Sequence, residues 1–174
     1  MHSTLVPGQK VPDLSVALAG GGQFTLNEKA PENFTIVIFY RGIHCPICKG
    51  QLNDFRSKLP DFEALGIDVV ALSMNTQELA EQTMTDWDLS GLKLGYGLTK
   101  SQARAWGLYM SAAIKDTEPD EFSEPGLAIV RPDGTLYHWS LQTAPFGRAK
   151  AAELASVLKY VIDNNYPVRG TLVA

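Results

Sequence analysis

The run Phe34-Thr35-Ile36-Val37-Ile38-Phe39 is unbroken in apolar and β-branched residues, and Tyr40-Arg41-Gly42-Ile43-His44-Cys45-Pro46-Ile47-Cys48-Lys49 follows it directly. Such a run is the pattern of a strand buried on both faces. Beyond the cysteines, Leu52, Phe55, Leu59, Phe62 and Leu65 recur at helical spacing between polar residues, which predicts an amphipathic helix beginning at Cys45. A buried strand, a tight turn at Gly42 and that helix confine the chain to an α/β architecture. Cys45 is placed at the C-terminal end of a central strand, where open α/β sheets keep reactive groups.

The two cysteines of the chain stand three positions apart, and their context predicts thiol chemistry. A free thiol with a pKa of about 8.5 is mostly protonated at neutral pH, so a nucleophile needs its thiolate stabilised. The unpaired N–H groups and positive dipole end of a helix N-terminus supply that at Cys45, with Pro46 suited to the first helical position. The spacing brings Cys48 within bonding reach, so Cys45 is assigned as attacking thiol and Cys48 as resolving thiol. Arg41 and His44 are candidates for added positive charge. Alternatives are half of a zinc site, a static disulfide and two packed thiols. For zinc, only His2, His44 and His138 remain as histidine ligands, with no second close-set pair.

The 174 residues, 45% hydrophobic and 20% charged, suit one domain spanning 1–174 with a real core. A formal charge of −4 argues against nucleic acid or an anionic membrane as main partner. No apolar segment is long enough for a bilayer, and the first eight residues lack a signal-peptide pattern. A cytoplasmic location is therefore expected, where a reducing environment suits a cysteine pair that cycles.

Residues 5–18 read as a loop and short strand; Gly20-Gly21-Gly22 turns the chain into Phe24-Thr25-Leu26, giving a hairpin over one end of the sheet. Pro60 predicts a kink or early loss of regularity in the first helix, and Gly66 its end. Residues 67–73 form a second buried strand, parallel to the first through a right-handed crossover. A helix over 78–87 with Asn75 or Thr76 as N-cap, a strand over 92–96 and a short helix over 100–108 follow. The acidic stretch 109–124 reads as a surface loop. Arg131-Pro132-Asp133-Gly134 joins 126–130 to 135–141 as an antiparallel hairpin, with Leu136, His138 and Ser140 on one face and Tyr137, Trp139 and Leu141 on the other. Residues 148–164 close the chain as an amphipathic helix with Ala152, Ala155, Leu158 and Ile162 in line.

Phe39 to Cys48 resembles the active-site segment of peroxiredoxin-like members of the alkyl hydroperoxide reductase and thiol-specific antioxidant (AhpC/TSA) family, within the thioredoxin-fold superfamily. Val6-Pro7-Gly8-Gln9-Lys10-Val11-Pro12-Asp13 resembles its opening, 64–73 its next strand, Arg131-Pro132-Asp133-Gly134 its hairpin, and Pro145-Phe146-Gly147-Arg148 the segment before its last helix. The resemblance implies a thioredoxin-like, peroxiredoxin-type fold with a mixed sheet flanked by helices. It also implies thiol-based reduction of peroxides or disulfides without a bound cofactor, an external thiol reductant of thioredoxin or glutathione type, and compatibility with a homodimer.

Departures from the family sharpen the expectation. Peroxiredoxins place Thr or Ser three residues before the reactive cysteine and Pro seven before it; here those positions are Gly42 and Ile38. The family's active-site Arg before the later strand falls on Pro125, which instead resembles the cis-proline facing the cysteine pair of thioredoxin-like oxidoreductases. Arg41 and Arg148 are the candidates to replace the missing Arg. These features favour thiol-disulfide exchange through Cys45, Cys48, Pro125, Arg41 and Arg148 over peroxide reduction through a Cys45 sulfenic acid. A redox-inert binding module using aromatic surface near Trp87, Trp106 and Trp139, or a metal-binding one, is the reading from another class.

Overall fold

The computed structural model describes residues 5–173; His2, weighed above as a zinc ligand, lies outside them, as does the start of the segment read for a signal peptide. In chain order the elements are β1 (Ser15–Leu18), β2 (Gln23–Thr25), β3 (Phe34–Phe39), α1 (Pro46–Ser57), α2 (Leu59–Ala64), β4 (Ile67–Leu72) and α3 (Gln77–Asp86). They continue with β5 (Lys93–Tyr96), α4 (Lys100–Ala105), β6 (Met110–Ala112), β7 (Glu121–Ser123), β8 (Gly126–Val130), β9 (Leu136–Leu141) and α5 (Ala151–Asp163). Seven strands form one mixed sheet in the order β2-β1-β5-β4-β3-β8-β9.

The continuous apolar pattern of β3 follows from its central position. Ile36 and Ile38 point into one layer with Leu52 and Phe55 of α1, Phe62 of α2, and Ala151 and Leu158 of α5. Val37 and Phe39 point into the other, with Ala103 of α4, Trp106, and Val16 and Phe24 from the N-terminal strands. Successive residues of a strand face opposite sides, so a strand covered on both must be apolar throughout. β3 pairs in parallel with β4 and antiparallel with β8, both in register up to Phe39. Its C-terminal end, from which the cysteine loop departs, is therefore held from both sides.

Several expectations are corrected. The N-terminal hairpin is part of the sheet, because β1 pairs antiparallel with β5. The stretch 109–124 carries the separate two-stranded sheet β6–β7, with Phe122, Ser123 and Glu124 buried. The loss of regularity expected at Pro60 is present: α1 ends at Ser57, and α2, which contains Pro60, follows across a break at Lys58. A bulge opposite the junction of Ile129 and Val130 shifts the register of β9, so Leu136 shares a core layer with Trp139 and Leu141 while Tyr137 packs on the other side. The bulge inserts one unpaired residue and so reverses the alternation. The last helix begins at Ala151 rather than Arg148, and its buried line is Ala151, Ala155, Leu158 and Val161. Trp87 and Trp106 are buried and Trp139 half-buried, so they form no aromatic surface.

Candidate active site

The cysteine loop is shaped by one glycine. Gly42 has φ +140°, and a Cβ at that position would collide with Asn75 Oδ1 and lie 3.2 Å from His44 Nδ1. A left-handed backbone with no room for a side chain admits only glycine comfortably. The Gly42 carbonyl then accepts from Cys45 N–H at 3.1 Å, and Cys45 becomes the N-cap of α1 with Pro46 in the first turn.

Cys45 and Cys48 are joined as a disulfide, with Cα atoms 5.2 Å apart. The Cys48 backbone N–H donates to Cys45 Sγ at 3.2 Å, so an N-cap role filled elsewhere by a hydroxyl or carboxylate oxygen is filled here by sulfur. Cys45 is 2% exposed and Cys48 fully buried. The strand-end position read from the sequence for an attacking Cys45 is found, but the sulfur is enclosed, with the Arg148 guanidinium lying against both sulfurs. Arg148 Nη2 is 3.1 Å from Cys48 Sγ and 3.9 Å from Cys45 Sγ, while Nη1 donates to Gln51 at 2.7 Å. Burial, with Arg41 nearby, brings the Arg148 pKa down to about 10 against an opposing pull from Glu124. The group stays cationic at neutral pH. Its loop is fixed by a bond from Gln142 Nε2 to the Gly147 carbonyl at 3.2 Å.

Arg41 is committed elsewhere. Its Nε and Nη2 grip the Glu124 carboxylate at 2.8 and 2.7 Å, its guanidinium sits 5.1 Å from the Phe122 ring centre, and Ser111 Oγ is 2.6 Å from Glu124 Oε1. With side-chain exposures of 18% and 3%, this is a buried bidentate pair whose members both bear on Arg148 electrostatically. His44 packs edge-on against Phe122 with ring centres 4.8 Å apart. Its pKa is lowered, chiefly by desolvation, so it favours the neutral form and is a poor source of the charge anticipated for it.

Pro125 does not take the cis form expected of it: no cis peptide bond occurs among the described residues. An X-Pro bond prefers trans by about 0.5–1 kcal/mol, and the Pro125 carbonyl accepts from Gln142 N–H at 3.0 Å, continuing the β8–β9 pairing. Instead of Pro125, its neighbour Glu124 joins the polar network. Sequence reasoning missed Glu124, Ser111, Asn75 and Gln51. The signal available for Glu124 was its position at the threshold of the apolar run 126–130.

A mixed sheet with a cysteine pair linked across the first turn of the helix that leaves its central strand defines the class: a thioredoxin-type α/β fold carrying a disulfide-linked Cys-x-x-Cys pair. The AhpC/TSA family model matches residues 7–139, and the chain belongs to that family. It is 33% identical over 109 residues to Rv2521, a candidate peroxiredoxin of Mycobacterium tuberculosis (strain ATCC 25618 / H37Rv), covering 60% of this chain and 66% of that one. The chain thus aligns with slightly under two thirds of the relative's length. Among solved structures, Mycobacterium tuberculosis AhpC superposes with a TM-score of 0.76 at 14% identity, covering 98% of this chain and all of that one. Peroxidoxin BcpB from the same organism gives 0.73 at 14% identity, covering 91% and 99%. At these identities the two structures speak for the fold.

Proposed function

We propose that the chain is a thiol-disulfide oxidoreductase on a peroxiredoxin-type frame, with Cys45 as nucleophile and Cys48 as resolving thiol. The observation that carries this reading is the bond between Cys45 and Cys48 across one helical turn. In the reduced protein the Cys45 thiolate attacks one sulfur of a substrate disulfide, and the other leaves as a thiolate. The Cys48 thiolate then attacks Cys45 Sγ, expels the second substrate thiolate and leaves the Cys45–Cys48 disulfide. Two electrons pass to the substrate, whose thiolates take up protons from solvent. An external thiol of thioredoxin or glutathione type reverses the oxidation of the pair.

Each thiolate has its own stabiliser: the α1 N-terminus for Cys45 and Arg148 for Cys48. Arg41 is assigned the positioning of Glu124 and, through it, the field at Arg148. Pro125 keeps a role only as the rigid entry to β8. No helix of the described residues is long and apolar enough to cross a membrane; a cytoplasmic location is inferred from the needs of a cycling pair. One domain is inferred because a single sheet draws strands from residue 15 to residue 141. A homodimer remains part of this reading by family alone.

The second reading, peroxide reduction, is favoured by family membership and by Arg148 Nη2 lying 3.9 Å from Cys45 Sγ. There the Cys45 thiolate attacks a peroxide oxygen, the O–O bond breaks with loss of an alcohol or water, and the sulfenic acid condenses with Cys48 to release water. Against it stands Gly42, where no hydroxyl side chain fits. Insulin-disulfide reduction by the wild type, and sulfenic acid formation in Cys48→Ser exposed to hydrogen peroxide, separate the two. Exchange predicts insulin turnover with Cys45 oxidised no faster than free cysteine. Rapid sulfenic acid formation without insulin turnover overturns it.

A further inference from the structure

Arg148 is held over the sulfurs by one neutral side chain. Its Nη1 donates to Gln51 Oε1 at 2.7 Å, and its Nη2 meets Cys48 Sγ at 3.1 Å. Its Nε has no hydrogen-bond partner among the described residues, and no carboxylate among them forms an ion pair with it. A guanidinium is a rigid planar fork, so the bond at Nη1 fixes where Nη2 points. Arginine has donors only, so the Gln51 amide turns its oxygen to it. Gln51 follows Cys48 by three positions in α1, and residues three apart lie on one helix face. The same helix therefore carries the thiol and the group that aims a cation at it.

The amide matters in two ways. With no acceptor at position 51, Nη1 loses its protein partner, and a long side chain free at its tip spreads over its rotamers. Space for that lies alongside, in a cavity of about 500 Å³ bounded by Ile47, Gln51, Asp54, Phe146, Arg148 and Lys150. A carboxylate in place of the amide would hold the cation but cancel the charge offered to sulfur. The neighbouring acids are engaged elsewhere: Asp54 accepts from the Ala151 N–H at 2.8 Å, and Glu124 is gripped by Arg41 at 2.8 and 2.7 Å. An uncharged acceptor thus leaves the positive charge of Arg148 to Cys48.

We propose that Gln51 is a positioning residue for the resolving step, holding Arg148 against Cys48 Sγ so that Cys48 gives its proton to solvent and stands as a thiolate ready to attack Cys45 Sγ in the mixed disulfide. The proposal deepens the exchange reading and rests on it for the resolving step, while the hold of Gln51 on Arg148 is read without turnover. Ultraviolet thiolate absorbance against pH in full-length Cys45→Ser protein reads Cys48 alone. Gln51→Met keeps the length of the side chain but removes the acceptor, and raises the Cys48 pKa by about 1 unit, at the low end of what a nearby cation contributes. In protein that already carries Arg148→Met the same substitution adds nothing, because a residue that acts through another is not additive with it. An unchanged pKa, or an equal shift in both backgrounds, overturns the proposal.

A second measurement follows the Arg148 guanidinium protons by NMR in the same Cys45→Ser protein. Their exchange with water quickens on the order of 10-fold in Gln51→Met, the scale of one hydrogen bond to a charged group, and unchanged exchange overturns the hold. Gln51→Glu, which keeps an acceptor, leaves that exchange slow; exchange as fast as in Gln51→Met would assign the effect to packing and overturn the proposal. If the wild type leaves insulin disulfides intact while the Gln51→Met shifts persist, the exchange reading fails and the positioning of Arg148 stands.

Discussion

Arg148 and the N-terminus of α1 divide the two sulfurs between them, which makes their contributions separable. A cation within a few ångströms lowers the pKa of an acidic group by about 1–3 units. Arg148→Met is expected to raise the Cys48 thiol pKa by about 1–2 units in the reduced protein. Cys45 should shift less, because its sulfur lies farther from the guanidinium and keeps the Cys48 N–H. Ultraviolet thiolate absorbance against pH in Cys45→Ser and Cys48→Ser backgrounds reads each thiol alone, and equal shifts in both would contradict the division. The cysteine pair was legible from spacing and context, and Arg148 from the Pro-Phe-Gly-Arg resemblance. Glu124 was not, because one acidic residue in an acidic stretch looks solvated until Arg41 and Ser111 are seen to converge on it. The wall formed by Asn75 was equally hidden, since it meets Gly42 only through the folding of β4 beside β3.

α5 has no side-chain cap of its own at Lys150; the Ala151 N–H is satisfied instead by Asp54 Oδ2 of α1 at 2.8 Å. That bond ties the helix carrying both cysteines to the end of the loop carrying Arg148. Loss of a capping carboxylate costs about 0.5–2 kcal/mol, so Asp54→Ala is expected to lose about 1 kcal/mol in urea unfolding, with Asp54→Asn recovering part of it. A loss in Asp54→Ala that Asp54→Asn does not recover at all would show that packing rather than capping sets the effect. A cap borrowed across 97 positions also explains why local periodicity started this helix at Arg148. Thr76 and Thr99 cap α3 and α4 from the adjacent position, and there the sequence boundaries fell within a few residues. The β6–β7 pair escaped notice for another reason: with burial limited to a few positions such as Phe122 and Ser123, its strands show no clear alternation.

At the scale of the molecule, the crossover joining β3 to β4 and the β8–β9 hairpin were readable because helix spacing and turn residues fix each locally. The placing of β1 against β5 depends on a contact between distant segments, which no local pattern encodes. The layers formed this way also set how stability responds to acid. His44, packed against Phe122, has its pKa lowered from 6.5 chiefly by desolvation; His138 shifts in the same direction, but its side chain is exposed and contributes little. Between the lowered values and 6.5 the unfolded chain binds more protons than the folded one, so unfolding free energy rises with pH through that window and falls on acidification. Around His44 the countervailing charges are Glu118 and Glu124, which raise its pKa, and Arg41, which lowers it. Urea midpoints should therefore be lower at pH 5.5 than at pH 7.5, and His44→Phe, which keeps a ring against Phe122, should narrow that gap. The depressed carboxylates Glu118, Glu121 and Asp133 lose their contribution only at lower pH, as each protonates through its folded pKa. A wild-type midpoint flat from pH 7.5 to 5.5, with a fall beginning only as the pH enters the carboxylate range, would place the acid sensitivity in these surface groups and remove it from the histidines.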